Sequence, residues 1–173
     1  AIGGPILNAA LLARHLPKPF ETMLVGGVCE SHEAEATELL AGLNWRQMES
    51  MGRSLHPLKD FASYRDLRKL IREFRPHIVH THAAKPGALG RLAARAEGVP
   101  VVVHTFHGHV FHSYFGKAKT EFFIRTERYL ASKSSAIIAI SEKQKQEISQ
   151  EFKICPAEKI HVIPLYAISN LFQ

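Results

Sequence analysis

Two hydrophobic periods alternate along the chain. Short, near-continuous apolar runs occur at Thr22–Val25, Ile78–Val79, Val101–Val103, Ala136–Ile140 and Lys159–Pro164. Between them, apolar residues recur with the 3.6-residue period of an amphipathic helix. The sets are Leu7, Leu11 and Leu12; Ala36, Leu39, Leu40 and Leu43; Tyr64, Leu67, Ile71 and Phe74; and Leu89, Leu92, Ala93 and Ala96. Gly3-Gly4-Pro5 opens the first helix, which ends near His15, and Gly26-Gly27 stops the strand after it. Ser31 and Ser141 are N-caps, each offering an oxygen to the first N–H groups of a helix. The helix begun at Asp60 turns Arg65, Arg68, Lys69 and Arg72 outward, and further helices run from Lys117 to Ser132 and from Ser141 to about Phe152. Trp45 to Pro57 is ambiguous, with a strand around Arg46–Met51 and then a loop as one reading. Continuous strands between amphipathic helices predict an α/β chain with a doubly wound parallel sheet, as one domain over residues 1–173.

The centre of the pattern is Pro76 to His112. Ile78-Val79 ends in His80-Thr81-His82; Lys85-Pro86-Gly87 punctuates the chain; a helix follows and closes at Gly98 and Pro100; Val101-Val102-Val103 then runs into His104-Thr105-Phe106-His107-Gly108-His109. A helical crossover of this length makes the two strands parallel. Both turn histidine-rich at their carboxyl ends, where open α/β sheets bind ligands. His80, His82 and His107 are therefore expected along one rim. Strand alternation separates His104 and Phe106 from Thr105 and His107, on opposite faces.

At 173 residues the chain can bury a full core, about 70% of its unfolded surface. Its net charge of +6 suits anionic partners without choosing among nucleotide phosphates, acidic lipids and nucleic acid. No nucleic-acid motif is present. Cys29 and Cys155 fit no metal or redox spacing and read as free thiols of a reducing compartment. No apolar run approaches the ~20 residues of a membrane span, and no signal peptide is evident, so a cytoplasmic chain is expected.

Candidate chemistry divides three ways. The histidines are dense enough to raise a metal site, but no Asp or Glu lies among them and the strand faces split them. Structural imidazoles, with one or two serving as neutral hydrogen-bonding groups, fit the pattern better, and no metal is expected. Gly3-Gly4 before a helix can attract phosphate, yet it is not GxGxxG and lacks the acidic ribose-binding residue; an ordinary tight turn is the other reading. Lys117, Lys119, Arg125, Arg128 and Lys133, interleaved with Phe122, Phe123, Tyr129 and Leu130, form either a core stripe with a solvated basic face or a surface for anionic lipid headgroups. The latter adds peripheral contact at the inner membrane face.

Taken in order, Arg75-Pro76-His77-Ile78-Val79-His80-Thr81-His82, Gly87-Ala88-Leu89-Gly90-Arg91-Leu92-Ala93, Gly98-Val99-Pro100-Val101-Val102, Thr105-Phe106-His107-Gly108, Glu127-Arg128, Ala139-Ile140-Ser141-Glu142 and Lys159-Ile160-His161-Val162-Ile163-Pro164 resemble a family-4 glycosyltransferase. The resemblance implies two facing Rossmann-like domains (the GT-B architecture), with this chain similar to the N-terminal, acceptor-binding one. It implies retaining transfer of a sugar from a nucleotide-sugar to a glycan or lipid-linked acceptor, in polysaccharide or glycolipid synthesis, without a cofactor. By the same resemblance His107 reaches the transferred sugar, Gly3 and Gly4 approach the donor diphosphate, and His82, Lys85, Gly87 and His109 serve the acceptor.

Three departures accompany it. The donor-binding domain is not among these residues, and the first strand that should precede Gly3-Gly4 is missing. Where relatives read Ile-Pro-Asn-Gly-Val-Asp, this chain reads Ile163-Pro164-Leu165-Tyr166-Ala167-Ile168. Half an enzyme, inactive alone, is the resulting expectation. A sugar-nucleotide epimerase of the same architecture and a non-catalytic binding fragment are the alternatives. The epimerase needs acid/base carboxylates, in which the strand-end loops are poor.

Overall fold

The computed structural model describes residues 4–28, 36–52, 54–108 and 117–164. In chain order the elements are α1 (Gly4–His15), β1 (Leu24–Gly27), α2 (Ala36–Leu40), β2 (Trp45–Met48), α3 (Pro57–Phe74), β3 (Ile78–His82), α4 (Ala84–Ala96), β4 (Val101–Phe106), α5 (Lys117–Lys133), β5 (Ala136–Ala139), α6 (Glu142–Gln146) and β6 (Ile160–Val162). A π-helical turn, Glu147–Glu151, extends α6. The α/β alternation and the Rossmann-like fold expected from the pattern are present, and every strand pair is parallel.

The described strands pair as two sheets, β1-β2 and β3-β4-β5-β6, where the sequence predicted one. Packing of α3 and α4 joins them. Leu67 of α3 and Ala93 of α4 are buried with Met48 and Met51 against Val25, while Ile71 also meets Val79 beside Ala94, Val99 and Val102. A second core holds Phe106, Ile124, Ala131, Ile137, Ala139, Ile148 and Ile160 between the sheet, α5 and the π-helical turn. These helices cover the face of Val79, Thr81, Val102, His104 and Phe106. On the opposite face Ile78 stays 48% and Val101 36% exposed.

Several local expectations need correction. Gly26 and Gly27 are the last two paired residues of β1 and not a stop after it: a Cβ on Gly26 would sit 2.4 Å from the Trp45 ring, and one on Gly27 1.9 Å from the Met51 carbonyl oxygen. The glycines are there for close strand approach. The second helix ends at Leu40, before Leu43, because Gly42 adopts φ +75 and turns the chain. α3 starts at Pro57, three residues before Asp60, since a proline in the first turn needs no N–H partner.

The largest shift concerns α4. It begins at Ala84, so Lys85-Pro86-Gly87 is its first turn and not a break before it. Its buried side is Gly87, Gly90, Arg91, Ala93 and Ala94, while Leu92 and Ala96 face outward. Apart from Arg91 the buried stripe is made of small residues, two of them glycines that an apolar count overlooks. Ser141 does cap α6, its Oγ accepting from the Gln144 N–H at 3.2 Å; Ser31 lies outside the described residues. Among the described residues no helix is long and apolar enough to cross a membrane.

Candidate active site

The β3–β4 register sets Ile78 opposite Val101, His80 opposite Val103 and His82 opposite Thr105. Side chains alternate along each strand, so His80, His82 and Thr105 share the more open face and meet at its carboxyl end. His107 follows β4 directly. The rim expected from the sequence is therefore formed.

Its members are tied pairwise. His80 Nε2 lies 2.7 Å from Thr105 Oγ1, and His82 Nδ1 lies 2.8 Å from His107 Nε2. The His80 and His82 rings are 4.3 Å apart between centroids, and those of His82 and His107 5.0 Å. Burial lowers His80 to about 4, with His107 adding to it, and lowers His82 to about 3, with His80 and His107 adding. His107 is also lowered by burial. Three imidazoles thus stand neutral together at the sheet's end, since a charge on any of them would lack solvent and repel its neighbours.

This has a consequence for stability. An unfolded histidine titrates at about 6.5, so between that value and about 3 the unfolded chain binds more protons than the folded one. The contribution is complete above pH 6.5 and is lost as pH falls through this window. Urea unfolding is expected to show stability dropping from pH 7 to pH 5, above the range where most carboxylates titrate. The double variant His80→Gln, His82→Gln should flatten that slope; an unaltered slope would mean other groups carry it.

The other sheet face holds the site from beneath. Thr81 Oγ1 contacts His104 Nδ1 at 2.9 Å and lies 3.2 Å from the Val103 carbonyl oxygen. His104 is held neutral, well below its usual range, by burial and then by the Arg91 guanidinium. Arg91 itself is 1% exposed; its Nε donates to the Gly87 carbonyl and its Nη2 donates to both Glu127 oxygens at 2.9 and 2.8 Å. Gln144 is buried and donates from Nε2 to the Gly108 carbonyl at 3.0 Å, while its Oε1 accepts from the Ile140 N–H. That clamp fixes the backbone just beyond His107.

Thr105, Gln144 and the Arg91–Glu127 pair were absent from the sequence-based candidates. Arg91 and Glu127 stand 36 residues apart, and only the packing of α4 on α5 brings them together.

The remaining candidates are placed as follows. Gly4 is the first residue of α1 and has open space where a Cβ would be; Gly3 and His109 lie outside the described residues. Lys85 is not free: it pairs with Asp60 and donates to the Ser54 carbonyl at 2.5 Å, tying α4 to the start of α3. Gly87 is buried, and a Cβ there would be 2.6 Å from His104 Cε1, so the glycine makes room for that ring. Gly87→Ala is expected to destabilise the fold by about 1–3 kcal/mol through overpacking, read as a lower urea midpoint. An unchanged midpoint would show that His104 yields freely.

Among the described residues no group of three His, Cys, Asp or Glu is placed to hold a metal ion. The short His82–His107 contact is a hydrogen bond, which uses the lone pair a metal would need. Chelator treatment is accordingly expected to leave Tm unchanged, and a stoichiometric zinc surviving dialysis would overturn this.

Comparison with known proteins bears on what such a rim serves. The sequence profile of Glycosyltransferase Family 4 matches residues 7–165. Over 112 residues the chain is 38% identical to the UDP-Gal:alpha-D-GlcNAc-diphosphoundecaprenol alpha-1,3-galactosyltransferase of Escherichia coli, covering 65% of this chain and 29% of that protein. Among solved structures it superposes on a UDP-GlcNAc 2-epimerase from Neisseria meningitidis bound to UDP-GlcNAc, with a TM-score of 0.65, 13% identity, and coverage of 91% of this chain and 43% of that one. It also superposes on MurG of Acinetobacter baumannii, with a TM-score of 0.61, 11% identity, and coverage of 94% and 41%. At such identities the structures share a fold and nothing more is carried over. The chain spans less than half the length of each of these proteins. Fold neighbours of two activities leave the choice to sequence, and the profile covers most of this one: the chain belongs to Glycosyltransferase Family 4.

Proposed function

We propose that this domain is the acceptor-side wall of a retaining glycosyltransferase. It would take a sugar from a nucleotide-sugar donor to a glycan or lipid-linked acceptor, with the donor wall supplied by further polypeptide. The observation that supports this most is the neutral histidine rim at the carboxyl ends of β3 and β4. Imidazoles whose pKa values lie near 3 and 4 are weak bases, so they suit hydrogen bonding to sugar oxygens and not proton abstraction. Developing charge on a departing diphosphate or an oxocarbenium-like sugar is stabilised by such fixed dipoles in a dry cleft. An epimerase of the same fold would need acid/base carboxylates, and the hydrogen bonds that join His80 to Thr105 and His82 to His107 involve none.

The galactosyltransferase relative makes UDP-galactose and a diphospholipid-linked N-acetylglucosamine the first substrates to try. The assay uses a polypeptide joining this domain to a donor-binding half, with product anomer read by NMR. Transfer with retained configuration is expected, with no turnover by the 173-residue chain alone. An inverted product would sink the retaining reading, and turnover by the single domain would sink the two-wall reading. No cofactor or metal enters this scheme.

The same reading places the domain in the cytoplasm, against the inner membrane face. α5 supports this by leaving Phe122 and Tyr129 65% and 56% exposed beside Arg125 and Lys133. Co-sedimentation with anionic but not neutral vesicles is the check.

A further inference from the structure

The β4–β5 ladder stops at Phe106 opposite Ala139, and the Gly108 carbonyl lies beyond its end. At its start the Ser135 N–H donates to the Val102 carbonyl at 2.7 Å. Hydrogen bonds of a parallel ladder are evenly spaced, each strand offering a donor at every second residue. Six residues further on, that pattern would bring the Ser141 N–H to the Gly108 carbonyl. The strand does not continue so far, because Ser141 turns into α6 as its N-cap. Gln144, buried three residues later, supplies the bond instead. Its Nε2 donates to the Gly108 carbonyl at 3.0 Å, and its Oε1 accepts from the Ile140 N–H at 2.8 Å. These partners fix which end of the amide is which, since a carbonyl must meet the NH2 and an N–H the oxygen.

The residue type carries the argument further. Ser141 and Gln144 have the spacing of a capping box, which takes Glu as readily as Gln. A carboxylate would still accept from Ile140, yet it has no proton for Gly108 and would set two acceptors face to face. Position 144 therefore needs an amide for the sake of the neighbouring strand and not of its own helix. Gly108 is also where a hold is needed most: glycine has the widest backbone freedom, and nothing stands within 4 Å of where its Cβ would be.

We infer that Gln144 is a positioning residue: its amide replaces the missing rung between β4 and β5 and sets the direction in which the chain leaves β4 at the rim. Released at Gly108, the exit of β4 would turn about its own glycine and carry the His82–His107 contact with it. The effect on sugar transfer rests on the proposed transferase reading; the rung does not.

The test reads the bond and its consequence separately. In the full ¹⁵N-labelled chain the Gln144 side-chain NH2, assigned by its loss in the variants, is expected to exchange slowly with solvent; fast exchange overturns the inference. Gln144→Glu keeps the acceptor for Ile140 and removes only the donor, while Gln144→Met removes both. In a polypeptide joining this domain to a donor-binding half, each is expected to lower kcat about tenfold per folded molecule, with KM for the donor little changed. Circular dichroism gives the folded fraction. A residue that only stabilised the fold would leave that kcat at the wild-type value, which overturns the positioning role. Wild-type kcat in Gln144→Glu alone overturns it too, since the Gly108 bond would then be dispensable. Should either variant fail to fold, the other and the wild-type amide decide. No transfer by the wild-type two-domain polypeptide sinks the transferase reading and with it the effect on kcat, while slow exchange of the Gln144 amide still upholds the rung.

Discussion

Replacing His107 by Ala is expected to lower kcat on the order of a hundredfold in a polypeptide carrying this domain and a donor-binding half. The estimate takes one lost transition-state hydrogen bond at ~3 kcal/mol. The residue stands at the end of β4, with one nitrogen held by His82 and the backbone after it held by Gln144. A ring fixed in that way is oriented before the ligand arrives, so its hydrogen bond needs little reorganisation as charge develops. KM should change less than kcat, because the group is proposed to act on the reacting sugar. His109 and His112, which lie outside the described residues, are expected to matter less for kcat and more for acceptor affinity. Steady-state kinetics on the three alanine variants checks this. Near-normal kcat in His107→Ala, with collapse at His109 or His112, would place the sugar against another histidine.

The second large effect is on folding. Glu127→Ala is expected to destabilise the chain by about 3–5 kcal/mol, because it leaves the Arg91 guanidinium buried and unpaired. The pair runs from one nitrogen, Arg91 Nη2, to both Glu127 oxygens and is nearly solvent-free, with side-chain exposures of 1% and 8%. Burial is the largest influence on each partner, pushing Glu127 up and Arg91 down, and their mutual attraction works against it. Such a pair contributes less net stability than it costs to break. The double variant Arg91→Met, Glu127→Leu should therefore recover most of the loss, since it removes both desolvation costs. Urea unfolding of the two singles and the double, set out as a cycle, measures the coupling. Single variants within about 1 kcal/mol of wild type would show that water or relaxation rescues the widowed charge.

The pair also explains how the two faces of the sheet cooperate. Arg91 holds the Gly87 carbonyl, Gly87 leaves room for His104, and His104 meets Thr81 between His80 and His82 on β3. Damage to the pair should thus be felt at the rim as well as in the core.

Much of this was legible in the residues themselves. Continuous apolar runs between amphipathic stretches determined the parallel α/β class, because a strand buried on both faces has no polar alternation to show. Strand parity alone separated His104 from His107. The position of His80, His82 and His107 at strand carboxyl ends followed from the direction of a βαβ crossover, which chirality and chain length leave little freedom. Ser141 was readable as a cap because its partner lies three residues away. What the sequence could not decide was anything set by contacts between distant segments. Gly26, Gly27 and Gly87 looked like punctuation, since a glycine that ends an element and one that admits a neighbour's ring are the same letter. Lys85 looked free until Asp60, on another helix, was brought beside it. The buried stripe of α4 was half placed by its apolar period: Leu89 and Ala93 pack inward, but Leu92 and Ala96 face out, because the close approach of His104 and Thr81 calls for Gly87 and Gly90 instead. Likewise nothing along the chain linked Arg91 to Glu127, and only the meeting of α4 and α5 took both out of water.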